Sequence, residues 1–161
     1  MVTINVNSRT VSGSVGDRQA RWDKRYLLLA KHVSGWSKDP STKIGAVIVS
    51  PHNTIVSVGY NGLAAGVADY TDRLEDREYK YANIIHGEMN AILHAPAGVH
   101  KCTLYTWPFM CCSRCAAMIV QAGISRHVAP ISYNTRWKES FEMATNTLTE
   151  AGVELYLETD I

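Results

Sequence analysis

The sequence predicts a three-layer α/β/α domain built on a five-stranded mixed sheet. Three observations carry this. Short apolar runs bounded by turn residues recur along the chain in strand-like lengths. Segments with helical spacing of apolar residues stand before the first pair of runs and alternate with the later ones. Neither an internal repeat nor a compositional break divides the 161 residues, a length that suits one domain with a sizeable core.

Taken in order, residues 1–20 are rich in Ser, Gly, Asn and Thr and read as a flexible N-terminal tail, so the domain is expected over 21–161. Trp22, Tyr26, Leu29, Val33 and Trp36 recur at helical spacing and predict an amphipathic helix of about four turns. "IGAVIVS" and "TIVSVGYNG" follow as two strands, joined at Pro51-His52-Asn53 into a hairpin. The charged stretch "AAGVADYTDRLEDREYKYANII" is read as irregular, either a solvated excursion or a lid or subunit contact. "HGEMNAILHA" predicts a helix, "CTLYTW" a strand, and "SRCAAMIVQA" a helix that Gly123 closes. "RHVAP" is a strand, 136–150 a helix, and "VELYLE" the last strand. The order is α-β-β-α-β-α-β-α-β.

Composition excludes several classes. Hydrophobic residues make up 46% and charged residues 19%, as in ordinary globular chains. A net charge of +1 with no block of Lys or Arg argues against a polymeric nucleic acid as partner. No apolar run reaches membrane-span length and no signal-peptide pattern opens the chain, so no membrane contact and a cytoplasmic location are expected. All four cysteines fall between Cys102 and Cys115, a local cluster that suits metal binding in a reducing compartment.

The chemistry concentrates at two predicted helix starts. His86-Gly87-Glu88 opens one helix, and about 25 residues further on Cys112-x-x-Cys115 opens another. Zinc takes about four borderline or soft ligands, and a catalytic site keeps one place open. His86 and the cysteines can supply three ligands, and thiolates gain stability at a helix N-terminus. Glu88 is two residues from His86, so it points away from the metal face but can reach the open place as a proton carrier. His-x-Glu alone is weak evidence; combined with Cys-x-x-Cys at a strand-to-helix junction it is strong.

These motifs resemble the cytidine deaminase superfamily, and within it the deoxycytidylate (dCMP) deaminase branch. "SKDPSTKIGAVIVS", "VGYNG", "KYANIIHGEMNAI", "TLY" and "CSRCAAMIVQAGI" stand in that family's order and approximate spacing across most of 21–157. The resemblance implies the cytidine deaminase-like fold and hydrolytic deamination of dCMP to dUMP and ammonia, feeding thymidylate synthesis. It implies that His86, Cys112 and Cys115 bind catalytic Zn²⁺, with a fourth place for water. Glu88 would move a proton from that water to the pyrimidine N3 and then to the departing amine. The Gly87 N–H would hold the carbonyl edge of the base and Asn61 the sugar. Ser37, with Lys38 or Lys43, would meet the 5′-phosphate, and Tyr133 would stack over the pocket. Gly59, Tyr60, Asn61, Gly62 and Gly66 would help form a regulatory site where dCTP activates and dTTP inhibits, with Mg²⁺. Members of this branch are commonly hexamers, which the charged excursion would help build.

The cysteine register differs by one residue between two counts. Counted from "TLY", the first thiolate falls on Cys111; counted back from "CAAMIVQAGI", it falls on Cys112. Clip spacing favours Cys112 with Cys115, and leaves Cys111 where the family carries proline, as a small buried residue. Gly87 also departs from the family, which has alanine there. Alternatives of the same fold act on free cytidine or on polynucleotides. A zinc-stabilised binding module without catalysis is the rival from another class.

Overall fold

The computed structural model describes residues 15–161. Its elements are α1 (Val15–Ser34), β1 (Gly45–Val49), β2 (Ile55–Tyr60), α2 (Thr71–Glu75), α3 (Arg77–Asn83), α4 (Gly87–Leu93), β3 (Thr103–Trp107), α5 (Ser113–Gln121), β4 (Arg126–Pro130), α6 (Lys138–Glu150) and β5 (Glu154–Glu158). A 3₁₀ turn, Thr135–Trp137, leads into α6. The strands form one sheet in the order β2-β1-β3-β4-β5. β1 pairs antiparallel with β2 and β3, while β4 runs parallel to β3 and β5. The predicted mixed sheet is therefore present.

Helices cover both faces. Tyr26, Leu27 and Ala30 of α1 pack on Val47, Val49, Tyr105 and Val128. On the other face Ala91 of α4, Ile119 of α5 and Leu148 of α6 pack with Ala46, Ile48 and Leu104. All five residues of β1 are buried, which explains why "GAVIV" is apolar without alternation. Gly59 lets α4 approach the sheet closely: a methyl group there would run into the backbone of Ala91 and Gly87. The turn after β1 is at Pro51–Asn53, with Asn53 at a positive φ of 61°. Gly123, at φ 85°, ends α5: its N–H bonds Val120 O and the Ile124 N–H bonds Ile119 O.

Three boundaries differ from expectation. α1 starts at Val15 rather than near Trp22, so residues 15–20 are helical, and the remainder of the expected tail, 1–14, lies outside the described residues. The cause is an anchor with no apolar signature. Buried Asp23 accepts from Arg126 Nη1 and Nη2 at 2.8 and 2.6 Å, from Tyr105 Oη at 2.7 Å, and from Gln19 Nε2 at 2.9 Å. Burial pushes its carboxyl up, but Arg126, Tyr105 and Gln19 prevail and hold it below the usual range. Removing one member of such a buried pair costs about 3–5 kcal/mol.

The charged excursion contains α2 and α3, with Asp76 accepting from the Tyr79 N–H at 3.0 Å to cap α3. Helices of five and seven residues are too short to reveal a period. The predicted 136–150 helix begins at Lys138. Among the described residues, no helix is long and apolar enough to cross a membrane.

Candidate active site

Two helix starts meet beside the sheet. His86 is the N-cap of α4 and Cys112 that of α5, and neither side chain makes a capping hydrogen bond. Both turn toward each other instead. His86 Nδ1 lies 3.4 Å from Cys112 Sγ and 3.3 Å from Cys115 Sγ. The three donor atoms all fall within 4.8 Å of one another. An ion at ~2.0 Å from nitrogen and ~2.3 Å from sulfur in tetrahedral geometry holds such atoms about 3.5 Å apart, so the set fits zinc.

The proton balance fits as well. The hydrogen bond from Cys115, aided by His86, holds the Cys112 thiol at about 4 against the opposing effect of burial. Cys115, which donates to Cys112 and is itself buried, is pushed up. The bond to Cys112 also raises His86. A divalent cation between these atoms replaces the shared protons and leaves both sulfurs as thiolates.

Glu88, in the first turn of α4, is only 4% exposed, and its Oε2 has no hydrogen-bond partner among the described residues. Burial raises its carboxyl, partly offset by His86. An unpartnered buried carboxylate oxygen is costly and calls for a partner from outside the chain.

Cys111 stands apart from this group. It is fully buried in the apolar core with Met110, Ala116 and Ile119, and burial pushes its thiol well up. Its N–H donates to His127 Nε2 at 3.1 Å, while His127 Nδ1 pairs with Leu104 O at 3.2 Å. The histidine thus ties the loop before Cys112 to β3. Burial lowers His127 from 6.5 to about 4, so it is neutral at pH 7. The unfolded chain takes up this proton first, so the stabilising contribution is complete above about 6.5 and is lost as pH falls toward 4. Between pH 7 and 5 this component amounts to about 2 kcal/mol. His127→Gln is expected to lose less stability over that interval than the parent. Denaturant midpoints of both zinc-loaded proteins at the two pH values check it.

His86, Glu88 and Cys112 lie at the buried end of a cavity of about 290 Å³. Asn61 lines it too, with Oδ1 accepting from the Ile44 N–H at 2.8 Å and Nδ2 donating to Thr42 O at 2.9 Å. The Gly87 N–H, in the first turn of α4, has no intrahelical acceptor.

The residues expected at the phosphate do not line this cavity. Ser37 is buried and donates to Asn61 O at 2.9 Å, exposed Lys38 pairs with Asp69 at 2.8 Å, and Lys43 is exposed off the cavity. Tyr133 is 84% exposed and borders a second groove with Lys138 and Glu142, so it does not close this pocket. Of the expected effector residues, Gly59 is buried against α4 and offers no surface for a ligand. Tyr60 meets Trp36 edge-on at 6.0 Å, Gly62 exchanges backbone bonds with Ile85, and Gly66 is exposed.

Several lining residues escaped the sequence reading. Phe109, Trp137 and Phe141 form one wall, with Phe109 5.4 Å from Phe141 and 6.4 Å from Trp137 between ring centres. Arg77, Lys80 and Tyr81 of α3 and Arg136 of the 3₁₀ turn also line it. The one available signal was the i, i+4 pair Arg77 and Tyr81 inside the charged excursion.

The family model for the cytidine and deoxycytidylate deaminase zinc-binding region matches residues 20–130. The chain belongs to this family. It is 42% identical over 139 residues to the Aliivibrio fischeri protein named "Uncharacterized deaminase in luxG 3'region", covering 84% of this chain and 92% of that one. It is 37% identical over 114 residues to the Mus musculus deoxycytidylate deaminase, covering 67% of this chain and spanning 64% of that protein's length. The fold matches the crystal structure of the dCMP deaminase of cyanophage S-TIM5 with a TM-score of 0.65 at 21% identity, over 87% of this chain and 98% of the other. Membership makes this deaminase-family chain a hydrolytic enzyme, and within the matched zinc-binding region the His86, Cys112 and Cys115 group fits a zinc ion.

Proposed function

We propose that this deaminase converts dCMP and water to dUMP and ammonia, supplying thymidylate synthesis. The observation that carries the reading is the unpartnered Glu88 Oε2 beside the His86, Cys112 and Cys115 donors, with Glu88, His86 and Cys112 at the buried end of one cavity. Zinc held by those three residues supplies Lewis acidity for activating water. Glu88 takes one proton from the water and delivers it to N3, then takes the second from the hydroxyl now on C4 and passes it to the leaving amine, two transfers that its raised affinity for protons favours. The Gly87 N–H holds the carbonyl edge of the base, and Asn61 borders the sugar. The aromatic wall of Phe109, Trp137 and Phe141 takes over the stacking role first given to Tyr133.

The test is ammonia release by zinc-loaded protein given dCMP, cytidine, dCTP or a single-stranded oligonucleotide. Release from dCMP alone or foremost supports the proposal. Cytidine as the best substrate would transfer the site to nucleosides, and silence with all four would leave a zinc-stabilised binding module.

Regulation by dCTP and dTTP with Mg²⁺ and hexamer assembly rest on the resemblance of the "VGYNG" segment and of the insertion after it, and a cytoplasmic location on the local cysteine cluster that suits a reducing compartment. Tyr60, Asn61, Gly62 and Gly66 remain the effector contacts to test. A flat dCMP turnover on adding either triphosphate removes them from that role.

A further inference from the structure

We infer that Arg77 and Arg136 form the subsite that binds the substrate's phosphate, at the opposite end of the cavity from Glu88; this rests on the deaminase reading above. The two guanidiniums come from separate elements, α3 and the 3₁₀ turn before α6, and both line the cavity at its exposed end. Arg77 Nε and Nη2 lie 3.3 and 3.0 Å from Tyr81 Oη, and the two arginines together hold that phenol below its ordinary range. Each head is further oriented by an aromatic face, Arg77 at 5.3 Å from the Tyr81 ring centre and Arg136 at 5.1 Å from that of Trp137.

Two cations lining one end of a cavity repel each other unless an anion lies between them. Among the described residues neither arginine is in an ion pair, although Glu75 lines the same cavity. The neighbouring lysines are already committed: Lys80 bonds Asp39 and Ser41, each at 3.1 Å, and Lys38 pairs with Asp69. Paired guanidinium forks match a phosphate dianion in both charge and geometry, and two of them balance one phosphate rather than three. The class of ligand is therefore a nucleoside monophosphate, with its base toward Glu88 and its phosphate toward α3.

The experiment compares dCMP with deoxycytidine in the zinc-loaded parent, Arg77→Gln, Arg136→Gln and the double variant. It reads kcat/KM and, in a Glu88→Gln background that blocks turnover, equilibrium binding. Each single change is expected to reduce the preference for dCMP about tenfold or more, and the double change about a hundredfold. Arg→Lys at either position is expected to restore only part, because the charge remains and the fork is lost. Lys38→Gln and Lys43→Gln are expected to keep the preference.

Survival of the preference in the double variant, its collapse in the Lys38 or Lys43 variants, or equal binding of both ligands by the parent overturns the subsite. Absence of ammonia from every substrate overturns the deaminase reading instead. The binding ratios then still decide the subsite.

Discussion

Glu88→Gln protein is expected to retain its zinc and to lose turnover by about 10²–10⁴-fold, the range that a positioned proton carrier contributes. The side chain makes no hydrogen bond through Oε2 and is not among the three clustered donors, so its removal leaves the metal set intact. Gln keeps the shape but holds no exchangeable carboxyl proton, which separates proton transfer from packing. Substrate binding is expected to persist, so the loss appears in kcat. Metal analysis together with steady-state ammonia release checks both halves. Activity within a few-fold of the parent, or loss of zinc along with activity, would falsify the proton-carrier role.

Cys112→Ser is expected to lower zinc affinity by more than about a hundredfold, beyond the effect of disturbing a residue that merely supports a ligand. Cys111→Ser is expected to keep the metal. The two cysteines are adjacent in sequence but opposite in environment. Cys112 Sγ lies 3.4 Å from His86 Nδ1, whereas Cys111 is fully buried among Met110, Ala116 and Ile119. A serine hydroxyl in that apolar site lacks a partner and costs stability of about 1–3 kcal/mol. Chelator competition reads zinc affinity and denaturant unfolding reads stability, so the two effects separate. Retention of zinc by Cys112→Ser with loss from Cys111→Ser reverses the register.

The same adjacency shows why one register question stayed open in the sequence. Cys-x-x-Cys spacing says which two thiols can share an ion, but "MCCSRC" offers Cys111 and Cys112 to two competing counts. The direction of each side chain depends on the backbone at the N-cap of α5. That backbone is held by the Cys111 N–H bond to His127, a residue on β4 with no motif to announce it. The place of Glu88 beside the donor cluster, by contrast, was legible from its position in the first turn after His86, because the first turn of a helix fixes directions locally.

The substrate's far end followed the opposite course. Ser37, Lys38 and Lys43 look like a phosphate cradle in one dimension, yet Ser37 bonds Asn61 and Lys38 pairs with Asp69. Arg77 was read only as part of a charged stretch and Tyr81 only as part of the "KYANIIHGEMNAI" match, neither with a place in the site, since α3 is too short to show amphipathic periodicity. Arg136 and Trp137 were read as the start of a helix, and their backbone is a 3₁₀ turn instead.

By itself, then, the sequence determined the sheet class, the order of helices and strands and the two helix starts that carry the chemistry. These depend on interactions a few residues apart: apolar periodicity, caps and ligand spacing. Tertiary structure alone decided which cysteine faces His86, where helix α1 begins, and which cations stand at the open end of the cavity. Each of those is set by contacts between segments distant in the chain, Asp23 with Arg126, Cys111 with His127 and Phe109 with Trp137, and no local spacing encodes them.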